Sequence, residues 1–186
     1  MYHFDYLVFI GRFQPFHLAH MQTLEIALQQ SQKVIIALGS AQPERNLKNP
    51  FLAQEREQMI LANFSEQDQK RIEFVHIIDV YDDQKWVKLV KEKVNEKIEG
   101  EAKVGLIGHF KDDSSYYLAL FPEWSLYSLE SLQGSISATP MREAFYRGEI
   151  QTQFFPQGTI QFLTEFQKTP VFHQLQAQYL QNQAEE

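Results

Sequence analysis

Gly11-Arg12-Phe13-Gln14-Pro15-Phe16-His17-Leu18-Ala19-His20 lies between an apolar run, Tyr6 to Ile10, and an amphipathic one, Met21 to Leu28. That order reads as a strand, a turn and a helix start. Histidines three residues apart at a helix start share one face of its first turn. The unsatisfied backbone N–H groups and the positive end of the helix dipole point out from the same place, which suits a phosphate. Arg12 adds a permanently charged, planar fork beside it. The stretch therefore reads as a phosphate site with His17 and His20 aimed into it.

Strand-like and helix-like segments alternate outward from this turn. Tyr6 to Phe13 reads as a first strand and Gln22 to Gln30 as its helix. Lys33 to Ser40 is a buried strand, Ala41 to Pro50 a polar loop and Leu52 to Phe64 a helix. Ile72 to Asp79 and Lys103 to Phe110 are further strands, and Asp83 to Ile98 between them is a strongly periodic helix. A short helix at Ser114 to Phe121 and a fifth strand at Trp124 to Leu129 follow. Thr139 reads as an N-cap with Pro140 at the first helical position, and that helix stops at Gly148. Phe154 to Lys168 and Val171 to Gln183 read as two last helices. This βαβα order predicts a Rossmann-like, doubly wound parallel sheet of about five strands with C-terminal helices. Residues 1–150 form its core and 151–186 a helical extension of the same domain. Such sheets bind ligands at the carboxyl ends of their strands, where strand order reverses. Gly11, Ser40, Asp79 and His109 all fall at or just after predicted carboxyl ends.

Composition narrows the chemistry. The 186 residues include 15 Phe and 8 Tyr, enough aromatic surface for a full core. A net charge of −7 argues against a general nucleic-acid grip, but not against nucleotides, which need only a local cluster of Arg and His. Without cysteine there is no thiolate nucleophile, disulfide or Cys-ligated metal. No apolar run approaches membrane-spanning length and no basic leader precedes one, so a cytoplasmic protein without membrane contact is expected. The pairs Asp82-Asp83 and Asp112-Asp113 are explained by helix starts and loops, where carboxylates favour the dipole.

A second cluster, Ile136-Ser137-Ala138-Thr139-Pro140-Met141-Arg142, again gathers hydroxyls, free N–H groups and a guanidinium at a helix start. Two such helix tips could grip one polyphosphate between them. A His-x-Gly-His turn after a first strand, with Ile-Ser-x-Thr-x-x-Arg near a late helix, marks a superfamily of nucleotidyltransferases, and this chain resembles it. The longer GRFQPFH match is similar to archaeal-type nicotinamide-mononucleotide adenylyltransferases. Gly39-Ser40-Ala41-Gln42, Asn49-Pro50-Phe51 and Glu55-Arg56 resemble the same family, as does Asp79 seven residues before Trp86. The resemblance covers roughly residues 6–150, and the combination is what makes it specific.

The resemblance implies attack of the mononucleotide phosphate on the α-phosphorus of ATP, giving NAD and pyrophosphate. His17, His20 and Arg142 would be catalytic. Gly11, Arg12, Phe13, Arg56, Ser137 and Thr139 would hold ATP phosphates. Ser40, Asp79 and Trp86 would hold the nicotinamide, and His109 and Asn49 are candidate nucleotide contacts. Mg²⁺ would arrive on ATP phosphates, with no metal site of the protein's own and no tightly bound organic cofactor. The resemblance suggests self-assembly without fixing subunit number. The family's glycine between the histidines is Ala19 here; its methyl would crowd a nucleotide passing close to the backbone and is harmless if φ is negative, and retained activity is expected because every charged member of the set is present. Some relatives resemble the front half of a two-domain enzyme ending in a Nudix hydrolase, but no Nudix box occurs in this chain, so no hydrolase activity is expected of it, and a hydrolase partner, separate or fused as in relatives, stays open. Two alternatives stay open: transfer of an adenylyl or cytidylyl group to another acceptor such as a pantetheine phosphate, and a nucleotide sensor without turnover. Taken singly, Trp86 would be a core aromatic, Arg56 half of an exposed ion pair on its helix and Asp79 a turn cap.

Overall fold

A computed structural model of the chain describes residues 1–109, 113–129 and 137–186; Phe110, Asp112 and Ile136 of the sequence reading lie outside these. The chain divides into two compact units. The first comprises Met1–Arg12, Ala19–Gln42 and the described residues of Ser65–Ser135; the second comprises Phe13–Leu18, Pro43–Phe64 and the described residues of Ile136–Glu186.

The first unit holds the sheet. Its strands are β1 (Phe4–Gly11), β2 (Ser31–Leu38), β3 (Ile72–His76), β4 (Val104–His109) and β5 (Ser125–Leu129). They pair in the order β3-β2-β1-β4-β5, and every pairing is parallel. The chain steps from β1 outward through β2 to β3, then returns to the other side of β1. The switch point therefore lies between the carboxyl ends of β1 and β4, at Gly11 and His109. The central strands are buried on both faces, which is why they read as unbroken apolar runs. Tyr6, Val8 and Ile10 of β1 pack one face with Ile35, Val75, Leu106 and with Val90 and Val94 of α4 (Asp83–Asn95). Phe9 points the other way and meets the His20 ring of α1 (Leu18–Gln30) edge-on at 6.3 Å. Asp82 caps α4 by accepting from the Lys85 N–H at 3.0 Å.

The second unit contains α2 (Ala53–Leu61), α5 (Ala138–Tyr146), α6 (Gln157–Phe166) and α7 (Pro170–Ala184); the short α3 (Glu66–Gln69) belongs to the first. Phe51 is central to its aromatic core, with the rings of Phe145, Phe162 and Phe166 at 5.0–6.0 Å. Gly148, at φ 93°, ends α5 in a left-handed cap: its N–H donates to Phe145 and the Glu149 N–H to Ala144, both at 2.9 Å. No helix of the described residues is long and apolar enough to cross a membrane.

Several boundaries differ from the sequence reading. α1 starts at Leu18 rather than Gln22. The N-cap of α5 is Ser137, whose hydroxyl accepts from the Thr139 N–H, and not Thr139 itself. Pro140 is thus the third helical residue, and Arg142 opens the second turn instead of lying in the first. The segment expected as one helix from Phe154 is a 3₁₀ turn, Thr152–Phe154, and then α6; Pro156, which cannot donate within a helix, sits at the junction. Ser114 to Phe121 is a 3₁₀ helix, Asp113–Leu120.

Gly158 of α6 is placed by close backbone contact. A Cβ there would meet the Ala62 carbonyl carbon and oxygen at 2.5 Å and Asn63 Oδ1 at 2.6 Å. Gly158→Ala is expected to cost about 2 kcal/mol or more, lowering the unfolding midpoint by about 4–8 °C in a calorimetric scan.

Candidate functional site

In the first unit the candidate residues gather at the carboxyl edge of the sheet. The Gly39 N–H donates to the Gly11 carbonyl at 2.8 Å, tying the ends of β1 and β2 together. Ser40 follows in the left-handed region, φ 48°, with its side chain buried. For a non-glycine residue that conformation is held by its surroundings, and such residues cluster at ligand sites. The Ser40 hydroxyl donates to Asp79 Oδ1 at 2.9 Å, and the Gln42 amide donates to Asp79 Oδ2 at 2.7 Å. Gln42 Oε1 in turn accepts the Asp79 N–H at 3.0 Å. The carboxylate is therefore oriented by two neutral donors, with its negative charge left uncompensated by them. Gln42 was legible only as a letter of the GSAQ motif; its role is a contact across 37 residues.

Trp86, on α4, is half-buried. Its indole meets the Tyr117 ring at 6.0 Å and the Phe121 ring at 5.6 Å, both edge-to-face, and Phe121 stacks on Trp124 at 4.9 Å. The tryptophan is thus both a packed aromatic and a partly open one. Burial pushes the Tyr117 phenol pKa up. Arg12 is exposed, and His20 lies in the first turn of α1. His109 closes β4 with its Nε2 3.0 Å from Thr23 Oγ1. Ala19 is helical and is not among the described residues with positive φ, so its methyl brings no backbone strain.

The second unit carries the rest. Phe13 occupies the left-handed region at φ 53° with its ring buried. Gln14, only 3% exposed, uses its side chain like a strand neighbour: Nε2 donates to the Phe51 carbonyl and Oε1 accepts the Phe51 N–H, each at 3.0 Å. Its own carbonyl accepts Arg142 Nη1 at 2.8 Å across 128 residues of sequence. Arg142 Nη2 also lies 3.4 Å from Thr139 Oγ1. The two motifs read from the sequence thus meet through one backbone oxygen. His17 sits just before α1 at 4% exposure. Arg56 is 1% exposed, which overturns its reading as half of an exposed ion pair. The helix-start carboxylate instead serves Arg45: Glu55 pairs with that guanidinium and accepts the Leu52 N–H at 2.8 Å. Asn49 closes a turn by donating its N–H to Asn46 Oδ1 at 2.8 Å. Ser137 and Thr139 are exposed at the tip of α5. One turn after Arg142, Tyr146 donates its hydroxyl to the Leu47 carbonyl at 2.7 Å. Burial raises its pKa, opposed by the nearby Arg142 charge.

Each unit carries imidazole, guanidinium, hydroxyl and backbone N–H donors, types matched to phosphate oxygens rather than to a divalent cation. Among the described residues no group of three or more His, Asp or Glu could hold a metal ion.

Residues 8–99 match the cytidylyltransferase-like family. A nicotinamide/nicotinic acid mononucleotide adenylyltransferase of Acinetobacter baylyi is 70% identical over 96% of this chain and 95% of its own. A nicotinamide-nucleotide adenylyltransferase of Pyrococcus abyssi is 29% identical over 85% of this chain and 82% of its own. Among solved structures, a bifunctional NMN adenylyltransferase/ADP ribose pyrophosphatase from Francisella tularensis, complexed with AMP and a manganese ion, superposes with a TM-score of 0.84 at 36% identity. The match covers 94% of this chain but 52% of that one.

Two measurements check this geometry. Gln14→Leu strands the buried Phe51 N–H and carbonyl, at an expected cost of about 2–4 kcal/mol, seen as a lower denaturation midpoint at unchanged slope. Tyr146 has its folded pKa above its unfolded one, so it contributes stability below about pH 10 that is lost as pH rises past that point. The stability gap between the wild type and Tyr146→Phe should therefore narrow above about pH 10.

Proposed function

The chain belongs to the nicotinamide/nicotinic acid mononucleotide adenylyltransferases, and from that we propose that it makes NAD by transferring the adenylyl group of ATP to nicotinamide mononucleotide. An oxygen of the acceptor phosphate attacks the α-phosphorus, the α–β bridging P–O bond breaks, and pyrophosphate leaves with the electron pair. The attacking phosphate is already ionised near neutral pH, so no Ser, Cys or general base is required. What remains is positioning and neutralisation of developing charge. The observation that carries this reading is the 2.8 Å bond from Arg142 to the Gln14 carbonyl, which seats a cation inside the GRFQPFH turn.

His17, His20 and Arg142 act on the charge that grows on the leaving pyrophosphate. Arg12, Arg56, Ser137, Thr139 and the backbone at Gly11 and Phe13 hold the ATP phosphates, and Asn49 contacts the nucleotide. Trp86 stacks on the pyridinium ring, a favourable cation–π arrangement. Asp79, oriented by Ser40 and Gln42, reads the carboxamide. Mg²⁺ fits this donor set as a companion of the ATP phosphates, to which it would lend charge neutralisation. Residues 1–150 serve as the transferase core and 151–186 as its helical extension. A cytoplasmic location fits ATP-dependent cofactor synthesis.

The reading is tested by incubating the protein with ATP, Mg²⁺ and a panel of phosphorylated acceptors. NAD and pyrophosphate should form in equal amounts from nicotinamide mononucleotide. Preference for pantetheine phosphate or for CTP would move the chain to another acceptor or donor class. NAD binding without turnover would make it a sensor. The Asp79 charge disfavours a carboxylate acceptor, so kcat/KM should be higher for the amide than for the nicotinic acid form. Asp79→Asn should narrow that gap. Trp86→Ala should mainly raise the acceptor KM, whereas His20→Ala should mainly lower kcat, by about 10²-fold or more.

A further inference from the structure

His109 stands at the carboxyl end of β4, beside the switch point, with its Nε2 3.0 Å from the hydroxyl of Thr23. Thr23 is 1% exposed. Its hydroxyl donates to the Ala19 carbonyl at 3.0 Å. A threonine hydroxyl has one proton to give, and here it goes to Ala19. The hydroxyl oxygen can then accept from the imidazole in the tautomer that carries its proton on Nε2. The result is a relay of aligned hydrogen bonds, His109 Nε2–H to Thr23 Oγ1–H to the Ala19 carbonyl, in which each bond polarises the next.

The relay ends where the chemistry starts. The Ala19 carbonyl is also the i−4 acceptor for the Thr23 N–H in helical geometry, so it takes two donors in the first turn of α1. Back-bonding from a threonine hydroxyl alone tends to loosen and bend a helix at that point. A second donor on that hydroxyl, delivered from a strand of the sheet, holds the turn in register. His20 is the residue directly after Ala19 and its ring also rests edge-on against Phe9 of β1. The two neighbouring strands β1 and β4 thus both act on this one turn, one through a ring and one through a hydrogen bond.

We propose that His109 and Thr23 are positioning residues for the catalytic imidazole of His20, pinning the first turn of α1 to the end of β4. This rests on the adenylyl-transfer reading for its kinetic consequence, but the brace itself is a property of the fold. Losing it leaves substrate contacts in place and blurs the aim of His20, so the loss falls on kcat.

The test uses isosteric and rescuing pairs. Thr23→Val removes the hydroxyl and keeps the shape, and His109→Leu removes the donor. Thr23→Ser keeps the hydroxyl, and His109→Gln carries an amide N–H to the place of Nε2. The two disabling variants should each lower kcat by about 10-fold, with KM for ATP and the acceptor within about 2-fold. The double variant should be no slower than either single one, because both break the same relay. The two conservative variants should recover kcat to within about 3-fold of the wild type. Independently of activity, both disabling variants should speed hydrogen exchange of the Thr23 amide by about 10-fold, while protection of the sheet amides is unchanged. A rise in ATP KM at constant kcat in His109→Leu would make the histidine a direct nucleotide contact and overturn the proposal. So would additive losses, no recovery in the conservative pair, or an unchanged Thr23 exchange rate. A wild type that forms no NAD would sink the functional reading alone, because the exchange measurement still decides the brace.

Discussion

The carbonyl oxygen of Gln14 accepts the guanidinium of Arg142 at 2.8 Å, and the organisation of the second unit follows from that bond. A positively charged side chain gains most from an acceptor that cannot move away. Gln14 is such an acceptor because its own side chain is locked onto both polar atoms of the Phe51 backbone. Arg142 therefore holds the turn, the turn holds the Asn49-Pro50-Phe51 segment, and Tyr146 on the same helix returns to that segment at Leu47. Three pieces of chain that are remote in sequence are fixed by a handful of hydrogen bonds, each with buried or half-buried partners. Of these, the Gln14–Phe51 pair is fully buried, and its loss leaves polar groups without water to replace the partner, which is the expensive case.

The first unit solves a different problem. A parallel sheet in the order β3-β2-β1-β4-β5 opens a crevice at the ends of β1 and β4. The residues beside it must present charge and hydrogen bonds without relying on long flexible loops. Ser40 does so in a left-handed conformation. Asp79 does so with both oxygens taken by neutral donors, which orient the carboxylate without neutralising it. The net charge of −7 is no obstacle to the proposed polyanionic ligands, since binding them needs only a local cluster of cations such as Arg12 or Arg142. A surplus of acid elsewhere discourages unspecific binding of nucleic acid.

Much of this was legible in the sequence, for physical reasons. Strands buried on both faces leave apolar runs, so the five strands and their carboxyl ends could be read within a few residues. The two motifs stood out because they gather histidine, hydroxyl and arginine donors at helix starts, and the structure joins them through the Arg142–Gln14 bond. Boundaries were less legible where two caps compete. Ser137 and Thr139 both offer a hydroxyl, and only the fold selects Ser137. α1 begins at Leu18, ahead of the reading, because its first turn is bound up with Thr23 and Ala19 rather than with apolar periodicity. The residues that orient the site were hardest to see. Gln14, Gln42 and Thr23 are ordinary polar residues whose partners lie elsewhere in the chain. The burial of Arg56 likewise has no local signature.

In the proposed reaction the Arg142 guanidinium, seated on the Gln14 carbonyl, contacts the ATP phosphates that leave as pyrophosphate. Calorimetric titration of ATP with Mg²⁺ into the wild type and Arg142→Ala tests it most directly. Affinity should weaken by about 10–100-fold, the worth of a hydrogen-bonded charge, in a variant that remains folded. An Arg142→Ala protein that binds ATP as tightly as the wild type would contradict it.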